Sequence, residues 1–329
     1  MSQNKPHILI VGGAGYIGSH TNLYLNELGY QTTVLDNLVY GHQEFVLFGR
    51  FVQGDMGDPK VLDDLFQNND FTAVMHFSAY AYVGESVTDP AKYYHNNLSK
   101  SITLLNKMAE YKVKNFIFSS TCATFGKPIT DKVSEDHRQK PINPYGRTKL
   151  LLEMLQGDYE NAYGMKFINL RYFNAAGADP QCRIGEDHNP ETHLIPLILQ
   201  VALGKREFIS IFGSDYKTPD GTCIRDYIHI LDLAQAHELA LKSLLESGTS
   251  KNYNLGNGTG FSVLEVVEIA RKVTGHPIPV RMEERRAGDP DMLVGDSQLA
   301  LKDLLWKPQF ADLETILTHA WNWHKKRHG

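Results

Sequence analysis

The stretch Gly12-Gly13-Ala14-Gly15-Tyr16-Ile17-Gly18 constrains this chain more than any other. It follows a short β-branched run, His7 to Val11, and precedes Ser19 to Leu28, which reads as a helix stopped by Gly29. Gly12, Gly15 and Gly18 between a strand and a helix let the backbone approach a pyrophosphate, and the helix N-terminus favours its charge. A second apolar run, Thr32 to Leu35, ends in Asp36, 18 residues beyond Gly18. A carboxylate at that distance accepts hydrogen bonds from the ribose hydroxyls of a dinucleotide. It also repels a 2′-phosphate, and Asn37-Leu38-Val39-Tyr40 offers no Arg or Lys to hold one, so NAD is expected rather than NADP. Asp55, after Val52-Gln53-Gly54, follows a further strand and could meet the adenine edge, although a solvated turn aspartate explains its spacing equally well.

The alternation continues with strands near Phe51 to Gln53, Ala73 to Phe77, Asn115 to Ser119 and Lys166 to Arg171. Helices are expected between them near Pro59 to Asn68, Ala91 to Tyr111 and Pro144 to Tyr163. This is the pattern of an α/β chain, a Rossmann-type doubly wound parallel sheet with helices on both faces. The sheet is expected to end near Arg171. From about Asn174 the pattern changes to Gly/Pro/Asp-rich stretches, with helices near Leu194 to Leu203, Ile230 to Leu245, Val263 to Thr274 and Leu313 to His324. The expected organisation is an NAD-binding domain over 1–173, with later crossover segments returning to it, and a smaller mixed α/β substrate lobe over 174–329.

Composition removes several function classes. A net charge of −5, with both signs spread along 329 residues, leaves no basic stripe for nucleic acid or acidic lipid. No apolar run approaches the roughly 20 residues of a membrane span, and the start MSQNKPH lacks a signal-peptide core, so a cytoplasmic protein is expected. Cys122, Cys182 and Cys223 lack CxxC spacing, and the 14 histidines are scattered with no HExxH, so no metal site is expected.

Tyr145 and Lys149 stand four apart after Asn143-Pro144, a good helix start. That spacing puts phenol and ammonium on one helical face, where the cation can lower the phenol's pKa toward neutrality. A tyrosine so tuned is a general acid and base for an alcohol. The pair opens the helix after the strand Asn115 to Ser119, which runs into Ser120-Thr121-Cys122-Ala123-Thr124. Hydroxyls just past a strand's carboxyl end lie where ligands bind in open α/β sheets. Without that position, an exposed helical pair and ordinary turn residues would account for both features.

These motifs, in this order, resemble the extended short-chain dehydrogenase/reductase family. The strings GGAGYIGSH (12–20), LDN (35–37), VGES (83–86), KNFIFSS (114–120), RYFNAAG (171–177), DGTCIRDYIHILDLAQAH (220–237), YNLGNG (253–258) and RRAGDP (285–290) narrow the resemblance to the UDP-glucose (UDP-galactose) 4-epimerases along nearly the whole chain. The resemblance implies inversion at C4 of a UDP-sugar through a 4-keto intermediate, with tightly bound NAD regenerated each turnover, in galactose metabolism and nucleotide-sugar supply. It makes Tyr145 the acid and base at the sugar 4-hydroxyl, Lys149 the bridge to the nicotinamide ribose, and Thr121 the catalytic hydroxyl. For NAD it implies Gly12, Gly15, Tyr16, Ile17, Gly18, Asp36, Asn37, Asp55, Met56, Phe77, Ser78, Ala79, Asn96, Ser119, Tyr145, Lys149 and Tyr172. For the UDP-sugar it implies Thr121, Asn174, His193, Leu194, Phe212, Arg225, Arg286, Asp289 and Leu293. Arg225 and Arg286 suit a diphosphate, because a guanidinium forks onto phosphate oxygens. The resemblance also implies a homodimer formed by the helices near Ala91 to Tyr111 and Pro144 to Tyr163.

Three departures stand out. Ala81 occupies a position where some relatives carry a lysine near the cofactor, Phe125 replaces a tyrosine, and Leu293 stands where other members' residue decides whether an N-acetyl group fits. A 4,6-dehydratase would follow Thr121 with an Asp-Glu pair, and this chain has Cys122-Ala123. Epimerisation of UDP-N-acetylglucosamine or of UDP-xylose/UDP-arabinose stays open from sequence. So does a non-catalytic NAD-binding sensor or scaffold on the same fold, although a sensor has no use for the base Tyr145.

Overall fold

The computed structural model describes residues 5–286 and 289–329. Six strands follow one another in the first half: β1 (His7–Val11), β2 (Gln31–Asp36), β3 (Arg50–Gln53), β4 (Ala73–His76), β5 (Asn115–Thr121) and β6 (Lys166–Tyr172). Between them run α1 (Tyr16–Glu27), α2 (Pro59–Gln67), α3 (Val83–Thr88), α4 (Pro90–Tyr93), α5 (Lys100–Glu110) and α6 (Pro144–Tyr163). All pairings in this sheet are parallel, in the order β3-β2-β1-β4-β5-β6, so the winding reverses between β1 and β4. Successive side chains of β1 face opposite layers. Ile8 and Ile10 join one core with Val34 and Ile117, while Leu9 and Val11 join another with Leu62, Leu104 and Leu152. That double burial is why the strand reads as a continuous apolar run.

Local chemistry sets where the functional helix begins. The Asn143 side chain accepts a hydrogen bond from Gly146 N–H at 2.8 Å, and Pro144 occupies the first turn. Gly164 ends the same helix in the left-handed region.

The sheet does not end near Arg171. A seventh strand, Lys251–Leu255, pairs in parallel with β6 at the edge, and the preceding helix, Ile230–Ser247, packs against α1 over the sheet. Tyr253 and Leu255 are fully buried there. The run KNYNL has no β-branched residue, so periodicity alone gives no strand signal.

The second half therefore contains β7 (Asn174–Ala176), α7 (Leu194–Ala202), β8 (Ile209–Phe212), β9 (Ile224–His229), the returning α8 (Ile230–Ser247) and β10 (Lys251–Leu255), and then β11 (Gly260–Ser262). After these come α9 (Val263–Thr274), β12 (Val280–Glu283), β13 (Met292–Leu293), α10 (Gln298–Asp303) and α11 (Leu313–His328). β9 pairs with β7, β11 and β13, and β8 pairs with β12. A buried carboxylate, Asp226 on β9, accepts N–H groups from Asn257 at 2.9 Å and from Gly258 and Gly295 at 3.1 Å. Burial pushes it up to about 6, against those three donors.

Candidate active site

The carboxyl ends of β1, β4, β5 and β6 gather the sequence-predicted residues. Gly12 has φ +81°, and a Cβ there would stand 2.5 Å from Ser78 N, while one at Gly18 would meet Gly12 O at 2.3 Å. Both glycines are required by the fold itself. Gly15 differs: its nearest neighbour to an added Cβ is 3.5 Å away, and it caps α1 without any side-chain hydrogen bond. The first-turn N–H groups of α1 thus face an open cradle, which fits a dinucleotide pyrophosphate. Asp36 is buried at the end of β2, accepting Ala14 N–H at 3.0 Å and Leu38 N–H at 2.8 Å. Burial raises its pKa and those two bonds oppose the rise.

Asp55 is bound to Lys100 Nζ at 2.6 Å and to the Asn37 amide at 3.1 Å. Burial pushes its carboxyl up, but Lys100, Gly57 N–H and Asn37 outweigh it and hold it below its ordinary value. Met56 beside it is buried. After β4, Phe77 and Ser78 donate backbone N–H groups to Val11 O at 2.8 and 3.1 Å, locking the Phe77-Ser78-Ala79 turn onto β1. Asn96 lies on a π-helical turn, Tyr94–Ser99, with its amide donating to Asn97 Oδ1 at 3.1 Å. Asn97 in turn bonds both backbone groups of Tyr80 at 2.9 Å. Such widened turns are frequent at functional sites. Ile17 packs on the core, and Tyr16 OH donates to Gly177 O at 2.7 Å, joining the glycine turn to the second half.

Thr121 ends β5 directly opposite Tyr172 at the end of β6, and the Ser119 hydroxyl bonds the Tyr172 phenol. Tyr145 faces this pair from the first turn of α6. Burial holds its phenol above its ordinary value; Tyr172 adds to the rise, and the neighbouring Thr121 hydroxyl opposes it. Lys149 Nζ donates to Ser119 O at 2.8 Å and lies 6.0 Å from the Tyr145 ring centroid. Burial lowers this amine to about 7, with Glu153 opposing. The sequence expectation that Lys149 draws the phenol toward neutrality is therefore corrected. The spacing does put both groups on one face, but desolvation of both side chains dominates their mutual effect.

The other wall comes from the second half. Asn174 donates to Asp226 O at 2.8 Å, His193 caps α7, and Leu194 is its first residue. Arg225 donates to Ile224 O at 2.8 Å and Pro290 O at 3.0 Å, with Asp289 3.9 Å away. The exposed Arg286 guanidinium lies over the Phe212 ring, 4.0 Å from its centroid. Leu293 pairs with Arg225 across β13 and β9 and packs with Cys122 against Phe125, Val133 and Phe173. Phe125 is fully buried in that cluster, so apolar packing fills the place of a tyrosine hydroxyl. Near Ala81 a lysine does occur: Lys92 Nζ lies 4.4 Å from the Tyr80 ring centroid and bonds Glu85 at 2.7 Å.

Two constellations escaped the sequence reading. Arg171 and Glu153 form a buried pair, with Nε at 3.0 Å and an Nη at 2.8 Å from the carboxylate, and Ser120 donates to the same group at 2.5 Å. They are 18 residues apart, on β6 and α6, so no local pattern signals them. Glu186, His188, Glu191 and His193 form a second cluster. Its signal was present as alternating acid and histidine in EDHNPETH, a spacing that matches no common metal motif. His193, expected only as a sugar contact, lies inside it. Burial pushes its imidazole down, but Glu186 outweighs burial and raises it to about 9.

The model of the NAD dependent epimerase/dehydratase family matches residues 8–256. A UDP-glucose 4-epimerase of Halalkalibacterium halodurans is 54% identical over 323 residues, covering 98% of this chain and 97% of its own. The crystal structure of UDP-glucose 4-epimerase from Brucella ovis in complex with NAD is 48% identical, with a TM-score of 0.94 over 97% of this chain and 98% of its own. That of UDP-glucose 4-epimerase from Bifidobacterium longum in complex with NAD+ and UDP is 35% identical, with a TM-score of 0.91 over 97% and 98%.

Proposed function

The chain belongs to the NAD-dependent epimerase/dehydratase family, and we propose from that premise that it interconverts UDP-glucose and UDP-galactose through a transient 4-keto sugar. Its activity is NAD-dependent epimerisation at C4 of a UDP-sugar. The observation that carries the residue assignment is the convergence of Thr121, Tyr145 and Lys149 at the end of β5, the strand next to the β1/β4 switch point where open α/β sheets bind ligands. Bound NAD, held at the cradle before α1, would supply the acceptor for the hydride from sugar C4 and its return to the ketone.

In this reading Tyr145 Oη moves the proton at sugar O4, and the Thr121 hydroxyl orients that oxygen. Lys149, anchored on Ser119 O, presents its remaining donors to the nicotinamide ribose. Arg225 and Arg286 hold the diphosphate, while Asn174, His193, Leu194, Phe212, Asp289 and Leu293 line the nucleotide and sugar positions. The flat ketone turns about the diphosphate link to present its other face. Tyr145 returns the proton, and the closed site keeps ketone and cofactor together between the two halves of the reaction. The N-acetylhexosamine and pentose alternatives and the non-catalytic sensor are not favoured by the relatives' activity. The division of labour between 1–173, with the returning α8 and β10, and 174–329 belongs to the same proposal.

The test is to incubate purified protein with UDP-glucose and no added NAD. Formation of UDP-galactose is expected; a stoichiometric demand for NAD would sink the proposal. Homodimerisation through α5 and α6 is part of this reading, supported by Leu151 and Met154 on α6, exposed to 37% and 65%. A Met154→Glu variant is expected to shift mass in light scattering from dimer to monomer. No helix among the described residues is long and apolar enough to cross a membrane. A cytoplasmic location belongs to the same proposal.

A further inference from the structure

The segment from Glu186 to His193 leads into α7, and its four acid and histidine side chains turn toward one point. Glu186 Oε1 lies 2.5 Å from His193 Nδ1 and 3.4 Å from His188 Nδ1. Glu191 closes the other side, with Oε2 3.5 Å from His188 Nδ1 and Oε1 4.0 Å from His193 Nδ1. One ligand-type atom from each residue lies within 4.8 Å of all the others. Both carboxylate side chains are only 4% exposed. Among the described residues, imidazoles are the only cationic groups within ion-pair distance of either. Two adjacent buried carboxylates repel each other and lose hydration, so the cluster needs positive charge at its centre, from the imidazoles themselves or from a bound cation in their protons' place. His188 Nδ1 is itself buried there with no hydrogen-bond partner.

We propose that Glu186, His188, Glu191 and His193 bind one zinc ion. Two imidazole nitrogens and two carboxylate oxygens make a four-ligand set suited to zinc, whereas calcium takes 6–8 oxygens and magnesium keeps an octahedral, largely hydrated shell. Bonds of about 2.1 Å in a tetrahedron place neighbouring ligand atoms about 3.4 Å apart. Two of the distances above already meet that. The Glu186–His193 pair must open by roughly 1 Å as zinc replaces the proton they share, a side-chain rotation that leaves the backbone in place. Groups around the ligands hold them in orientation. Glu191 Oε1 accepts Thr192 N–H at 2.7 Å and His193 N–H at 2.8 Å, Trp323 Nε1 donates to Glu186 O at 3.4 Å, and the Tyr16 ring meets His188 edge-on at 6.3 Å. The ion thus ties together the glycine turn, the start of α7 and α11. With four protein ligands and no open position, the site is structural. His193 binds through Nδ1 and keeps Nε2 for the UDP-sugar.

The test uses full-length, tag-free, NAD-bound protein. Elemental analysis after dialysis against zinc is expected to find about one ion per chain. Chelator-treated protein should melt at a higher temperature when zinc is restored, and Co2+ in its place should show the visible bands of a tetrahedral site. His188→Ala and Glu191→Gln should each weaken zinc binding by at least about tenfold, since losing even an outer partner of a ligand costs that much. Failure of the unaltered protein to retain zinc, with no change in melting, overturns the proposal and leaves a proton-shared histidine–carboxylate network. Zinc retained at the same stoichiometry and affinity in both folded variants also overturns it. If a variant does not fold, the Co2+ spectrum of the unaltered protein decides: octahedral bands alone refute the site.

Discussion

Tyr145 and Lys149 sit where a regular strand end meets a regular helix start, whereas Arg225, Arg286 and Asp289 sit on the loops and short strands of the second half. The first wall is the drier of the two: Lys149 is 4% exposed and Tyr145 is half-buried, and burial pushes the amine down and the phenol up. The second wall is wetter. The Arg225 and Asp289 side chains are 15% and 36% exposed, and Arg286 is exposed. Solvent screens such charges, so in the proposed grip on a diphosphate each arginine would contribute modestly. Proton transfer needs a group whose pKa can be moved, and that requires exclusion of water. Gripping a diphosphate needs only fixed charge, which works at the edge of solvent.

The sharpest way to break this contrast is at Tyr145. Tyr145→Phe is expected to lower kcat by about 10²–10⁴-fold with KM little changed. A variant retaining near-full turnover would remove the tyrosine from the chemistry. On the same dry wall, Glu153→Ala leaves the buried Arg171 guanidinium without its partner. The side chains of this pair are 3% and 6% exposed, so the cost to unfolding free energy is about 3–5 kcal/mol. Urea denaturation of NAD-loaded protein reads this directly, and a loss below about 1 kcal/mol would show that the pair is no more than a surface contact. The wetter wall should respond less. Arg286→Ala is expected to raise KM for the UDP-sugar about tenfold while kcat holds, the value of one charged hydrogen bond. An equal fall in kcat would place Arg286 among the groups acting in the transition state.

Two finer tests probe the cofactor side. Lys149 has an ordinary pKa of 10.5 and is lowered to about 7 in the folded chain. Between those values the unfolded chain binds more protons, so this residue makes stability rise with pH across that window. Denaturation curves at pH 7 and 9 should show the rise in the parent and a smaller one in Lys149→Met; identical slopes would refute the burial of the amine. Gly15→Ala is expected to leave the melting temperature nearly unchanged while weakening NAD retention, because its Cβ meets only Gly12 O at 3.5 Å. Gly12→Ala, forced against Ser78 N at 2.5 Å, should instead disrupt folding. If Gly15→Ala kept NAD as firmly as the parent, the open cradle would not be the pyrophosphate site.

Much of the molecule could be read directly from local pattern. The strand, glycine turn, helix and acid of residues 7–36 are consecutive, and their spacing carries the dinucleotide reading. Asn143-Pro144 marks the helix that presents Tyr145 and Lys149, and α6 runs over the expected Pro144–Tyr163. The seventh strand was not legible, because Lys251–Leu255 lacks the β-branched signature and gains its place by burial beside β6. Resemblance, rather than spacing, placed the residues of the second wall. Their short strands take position from long-range anchors such as Asp226, which gathers N–H groups from residues 257, 258 and 295.

What the sequence alone determined is the class of sheet and the preference for NAD, since each rests on the order and spacing of consecutive segments; it also singled out Tyr145 and Lys149 as the candidate acid–base pair. Tertiary structure decided the electrostatics. The phenol of Tyr145 is raised rather than lowered, Lys149 loses most of its hydration, and Glu186, His188, Glu191 and His193 converge on one point. The physical reason is range: turn and helix propensities act between neighbours, whereas desolvation sums over every segment packed around a group, and those segments meet only in the folded chain.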